Sequence, residues 1–168
     1  MKRLLLTVAA GLLWPVWAFA LATTADFEAE IVKQGEKRFV RRICQASELD
    51  LILKGVERGD ASWLRIAGRL RPYTDAGCSS ELETALFSAL PNSAESVIAF
   101  LSTYRGPKGS FSIENVCGDK SLSEPAEHYQ SVLDALGTVK RPGSPRTMQT
   151  CLAAAKAALE RARQNNKS

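Results

Sequence analysis

The sequence predicts an all-α fold: a compact array of about six short helices in antiparallel hairpins, stapled by two disulfides. Three observations predict it. Apolar residues recur at helical spacing along most of the chain, Pro and Gly interrupt them at regular intervals, and four cysteines stand at 44, 78, 117 and 151. Phe111, Ile113 and Val116 are the nearest thing to a strand pattern and are too sparse for one.

The first segment is set apart. Lys2-Arg3 precedes the apolar run Leu4 to Leu13, then Pro15 and the small-residue triplets Ala18-Phe19-Ala20 and Ala20-Leu21-Ala22. That is the layout of a cleavable secretory signal over residues 1–22, with cleavage after Ala20 or Ala22. An uncleaved membrane anchor is the rival reading, weakened by Thr7, Gly11 and Pro15. With no cysteine near the cleavage region and no twin-arginine motif, the general secretory route of a bacterium is expected, ending in the periplasm or outside the cell without stable membrane insertion. The remaining chain, about 146 residues, suits a single domain over 23–163 with a disordered tail over 164–168. Loss of Lys2 and Arg3 lowers the formal net charge from +4 to +2, so the basicity belongs partly to the signal and nucleic acid is not an expected partner.

In an oxidising compartment an even number of cysteines reads as a disulfide framework. Equal separations favour Cys44 with Cys78 and Cys117 with Cys151, each bridge tying one half of the fold. Zinc is disfavoured because there is one histidine and no Cys-x-x-Cys, which also removes a thioredoxin-like motif; no metal or cofactor is expected.

Taken in order, the helices begin at Asp26, where Phe27, Ile31, Phe39 and Ile43 keep a four-residue beat with Gly35 filling the intermediate position, as in one continuous helix. Ser47 and Asp50 resemble a capping box before Leu49, Ile52, Leu53 and Val56, and Gly59 stops that helix. Asp60 caps the next, whose Trp63, Ile66, Ala67 and Leu70 point inward up to Pro72. Arg58-Gly59-Asp60 spells an adhesion tripeptide but is better explained as this stop and cap. After a turn over 73–77, Ser80 and Glu83 form a second capping box ahead of Leu82, Leu86 and Leu90; Pro91 ends that helix, and Asn92 with Glu95 starts another through Val97, Ile98 and Leu101. Residues 105–123 read as a long connection pinned by Cys117. Pro125 opens a helix carrying Tyr129, Val132, Leu133 and Leu136, and Pro145 opens the last, with Met148, Cys151, Leu152, Ala155 and Leu159 on one face.

An offset of 33 residues superposes Leu49 on Leu82, Leu53 on Leu86 and Asp60 on Ser93. Solenoid repeats produce such offsets, and so do any two amphipathic hairpins with equal turns.

Catalytic patterns are scarce. Asp75 and Glu114 are the carboxylates best placed for glycosidase chemistry, and Glu124 lies four residues before His128, the single histidine, as an acid–base pair would. No nucleophile elbow or phosphate loop accompanies them. Two basic clusters, Lys37, Arg38, Arg41, Arg42 and Arg58, Arg65, Arg69, Arg71, read either as solvated helix faces or as a surface for an acidic partner. Tyr73, Tyr104 and Phe111 fall near helix ends or in loops, where an aromatic can either anchor a partner or cover the edge of the core. The leading expectation is therefore a non-catalytic exported binding module, an inhibitor, immunity-type protector or assembly factor, contacting an envelope protein through Arg69, Tyr73, Tyr104, Arg105 and Phe111. An envelope hydrolase and a carrier of a small apolar ligand are the alternatives. Nothing in the sequence indicates an oligomeric state.

Overall fold

In the computed structural model, which describes residues 23–104, 111–118 and 124–165, the chain forms α1 (Thr24–Gln34), α2 (Glu36–Ile43), α3 (Glu48–Glu57), α4 (Ala61–Leu70), a single 3-10 turn (Arg71–Tyr73), α5 (Ala76–Thr103), α6 (Ile113–Gly118), α7 (Ala126–Thr138) and α8 (Pro145–Asn165). Among the described residues there are thus eight α-helices and no strand, so the all-α expectation holds while the number of helices is larger than expected. The signal-like segment 1–22 lies outside the described residues. Gln164 and Asn165, expected in a disordered tail, are helical.

Helix α5 is the spine. It touches α3 and α4 on one side and α6, α7 and α8 on the other, so the N-terminal helices and the C-terminal helices share one core across it. Cys44, just past α2, bonds to Cys78 in the first turn of α5, and Cys117 of α6 bonds to Cys151 of α8, in the pairing that the spacing favours.

The first expected helix is two. Gly35 adopts φ +80, ψ 148, which ends α1 and begins α2 in the same residue. An L side chain is strained there, while glycine is not. The apolar beat survives the bend, since Phe27, Ile31, Phe39, Val40 and Ile43 are all buried. Thr23 and Asp26 form a reciprocal capping box, and those hydrogen bonds hold the Asp26 carboxyl below its ordinary pKa.

Three expected caps are absent. Ser47 has helical dihedrals (φ -64, ψ -11), so its hydroxyl cannot turn back on the first amides and makes no cap. Asp60 makes none either, because its carboxylate accepts from Arg58 Nε at 3.1 Å. Ser80 lies inside α5, which begins earlier: Asp75 caps it, accepting from the Cys78 N–H at 2.9 Å.

Within α5 the residue Ser93 leaves helical geometry (φ -140, ψ 31), so the segment is two helices, 76–92 and 94–103, joined at a kink two residues after Pro91, close to the break the sequence predicts. In the first member of the 33-residue offset α3 and α4 are joined at Gly59, which has φ +69, whereas its counterpart Asn92 is helical and the second member kinks one residue later. The two sites touch each other: Ser93 Oγ donates to the Arg58 carbonyl at 3.0 Å.

Nothing lies within 4 Å of where a Cβ at Gly35 would sit. Gly35→Ala should therefore lower stability through backbone strain alone, by about 1–3 kcal/mol. Urea unfolding followed by circular dichroism checks this, and an unchanged midpoint would contradict it.

Candidate functional site

Of the expected contact residues, Tyr73 ends the turn after α4, Arg69 precedes it, and Tyr104 and Phe111 pack near it. Three rings interlock there: Phe100 stacks on Tyr104 at 5.5 Å between centroids, and Phe111 meets them at 5.6 Å and 5.9 Å. Phe111 is 5% exposed and forms the floor of this cluster, the core-edge role that the sequence also allows it. The cause is Arg71, whose guanidinium lies 5.4 Å from the Phe111 centroid and covers the ring.

Arg71 in turn is held by Glu83 of α5, Nη2 to Oε1 at 3.3 Å, with the two side chains only 16% and 13% exposed. The same carboxylate accepts from the Ser112 N–H at 3.3 Å and from Asn115 Nδ2 at 2.9 Å. One acid thus joins the 3-10 turn, α5 and the start of α6. Arg71 Nε is buried without a hydrogen-bond partner among the described residues; the π face of Phe111 is what that guanidinium has in exchange.

Tyr73 stands 46% exposed at the end of the turn. Tyr104 is half-buried, and its phenol is pushed above the ordinary value of 10.0 by burial, against the pull of Arg71 and with a further rise from the neighbouring Tyr73. Arg69 is exposed and bonds Glu36 at 2.9 Å, tying α4 to α2; the guanidinium holds the Glu36 carboxyl below its ordinary pKa. Arg105 lies outside the described residues.

Two clefts flank this cluster. One, of about 200 Å³, is lined by Lys37 and Arg41 of α2, Cys44, Gln45, Tyr73 and Asp75. The other, of about 410 Å³, includes Tyr104, Phe111, Glu114, Ser144, Arg146 and Thr147 in its wall. Ser102 fixes the far rim of the second, donating to the Pro142 carbonyl at 3.0 Å and accepting from the Ser144 N–H at 3.1 Å. Cations and aromatics therefore line both clefts, Lys37, Arg41 and Tyr73 in the first and Tyr104 and Arg146 in the second.

Of the basic clusters noted in the sequence, Arg42, Arg58, Arg65 and Arg69 are each paired with a carboxylate. Lys37, Arg38 and Arg41 are exposed and carry no ion pair among the described residues. The sequence reading missed Glu83, placed in a cap, and Arg146; no local signal marks either, because their partners are distant in the chain.

The acids considered for hydrolysis stand apart from one another. Asp75 caps α5, whereas Glu114 accepts from Ser112 Oγ at 3.1 Å and lines the other cleft. No hydrogen bond or ion pair joins Glu124 to His128, whose ring instead packs 4.9 Å from Phe87 with Nε2 buried and unpartnered. A third cleft, of about 640 Å³ at the α5 kink, is walled by Asn92, Ser93, Glu95, Ser96, Ser131 and Asp134 among others, which does not suit an apolar ligand. Among the described residues no group of His, Cys, Asp and Glu converges on a metal-sized site, and no helix is long and apolar enough to cross a membrane.

No protein-family model, curated protein or solved structure matches the chain.

Glu83→Ala leaves Arg71 charged and enclosed without its counterion, so a loss of about 3 kcal/mol is expected in denaturant unfolding, with Glu83→Gln milder. For Tyr104, the folded protein keeps a proton that the unfolded chain releases near its ordinary value, so stability must fall as pH rises past 10.0. Unfolding measured at about pH 9 and about pH 11 should show that fall, reduced in Tyr104→Phe; an equal fall in both proteins would exclude Tyr104 as its source.

Proposed function

We propose that this chain is an exported, non-catalytic binding module that holds an acidic segment of an envelope protein. The observation that carries the reading is the set of cations and aromatics lining the two clefts, with Lys37 and Arg41 carrying no ion pair among the described residues and Tyr73 exposed beside them in the smaller cleft. Unpaired cations beside an exposed, rigidly based aromatic give both steering and an anchor for a negatively charged peptide. Glu83, Arg71 and Phe111 form the foundation: they fix the turn that presents Tyr73 and are themselves too enclosed to make contact.

Export is part of the same proposal. The signal-like start, the two disulfides and the lack of a membrane-length helix among the described residues fit a chain that acts in an oxidising space outside the cytoplasm. Neither Asp75, Glu114 nor His128 has the partner that acid–base chemistry would need, so no observation favours the hydrolase alternative.

Affinity capture from periplasmic extract under non-reducing conditions tests the reading. The intact protein should retain an acidic partner, and Tyr73→Ala or the double reversal Lys37→Glu with Arg41→Glu should cut retention at least about tenfold while leaving the helical circular-dichroism spectrum intact. Undiminished retention by both variants would refute the site.

A further inference from the structure

The two disulfides differ in what can reach them. Cys117 and Cys151 are each 0% exposed, enclosed where α6 lies on α8. Cys44 is only partly buried and forms part of the wall of the smaller cleft, beside Lys37, Arg41, Tyr73 and Asp75. Its partner Cys78 is 4% exposed and sits in the first turn of α5, with its N–H bonded to the Asp75 cap.

Thiol–disulfide exchange needs an attacking thiolate with access to one sulfur and a leaving sulfur that tolerates negative charge. Access is at Cys44. Tolerance is at Cys78, because the dipole of a helix N-terminus favours a thiolate there. Two free cations against one carboxylate leave the cleft wall net positive, which selects among thiols by their charge.

We propose that Cys44–Cys78 is a thiol-exchange site for a small thiol bearing carboxylate groups. The incoming thiolate attacks Cys44 Sγ; a new sulfur–sulfur bond forms on Cys44 as the Cys44–Cys78 bond breaks. The electron pair of the broken bond remains on Cys78, which leaves as a thiolate at the head of α5. The attacking sulfur is oxidised to the disulfide level, Cys78 is reduced to the thiol level, and no further oxidant or reductant enters. The proposal does not depend on the partner-binding reading, since no protein partner takes part.

Oxidised full chain is treated with glutathione as the anionic probe or with 2-mercaptoethanol as the neutral one, quenched by alkylation and mapped by peptide mass. The expected first product carries glutathione on Cys44 and an alkyl group on Cys78, with Cys117–Cys151 intact. Lys37→Gln and Arg41→Gln should each slow glutathione by roughly threefold relative to 2-mercaptoethanol, and Asp75→Asn, which keeps the cap, should speed it. Added salt should slow glutathione more than 2-mercaptoethanol, whose attacking thiolate is its only charge, and this reads the carboxylate effect on the unaltered protein even if a variant does not fold. First labelling at Cys117 or Cys151, a glutathione adduct on Cys78, or equal response of both thiols to salt and substitution would each overturn the proposal.

Discussion

Twelve residues of α5, from Cys78 to Leu101, are buried, and at 3.6 residues per turn they cover roughly half of its circumference or more. A rod that apolar must be jacketed, and the placement of α3, α4, α6, α7 and α8 is the jacket. The kink at Ser93 lets the two halves of α5 serve two sets of neighbours that a straight helix of 28 residues would hold along a single line. Because Asp75 starts this helix and Glu83 lies two turns in, the same rod also anchors Cys78 and the Arg71 turn. The candidate surface is thus set by the core and not by a loop of its own.

What the sequence made legible follows from how local each cause is. Periodicity survives tertiary detail, so the buried stripes of α3, α4, α7 and α8 were readable, and equal cysteine spacing was enough to favour the right bridges. Capping boxes were over-read because a Ser followed three residues later by an acid is common, while a cap needs extended dihedrals at the first residue, which Ser47 lacks. Gly35 fitted a helical beat as a spacer, and nothing in that beat distinguishes a helical glycine from one at positive φ. Phe111 lies in a stretch that reads as a connection, so the sequence alone left open whether it anchors a partner or covers the core edge. Its burial depends on Arg71 and Phe100, which the chain brings to it only on folding.

The basic residues show the same division. Exposed pairs such as Arg58–Asp60 contribute about 0–1 kcal/mol each, so they matter less for stability than for what they leave over. They use up Arg42, Arg58, Arg65 and Arg69, and the positive charge that remains uncompensated on this side is that of α2, chiefly Lys37, Arg38 and Arg41. A cluster that composition alone presents as one broad patch is narrowed by geometry to a strip beside Tyr73.

The two bridges close loops of the same length, 34 residues, so the chain-entropy model assigns both about 4 kcal/mol and cannot tell them apart. Their surroundings do. Helix α6 spans six residues, too few to hold helical geometry on their own, and it is fastened to α8 by the buried Cys117–Cys151 bond. Helix α2 is little longer, but it buries Phe39, Val40 and Ile43 and is also tied through Glu36 to Arg69 of α4. Each helix has a tie besides its bridge, α2 through Glu36 to Arg69 and α6 through Asn115 to Glu83, so what separates the bridges is burial: Cys117 and Cys151 are fully enclosed while Cys44 is only partly buried. A fold with one bridge at its surface and one sealed can therefore expose the first to chemistry while the second maintains the core.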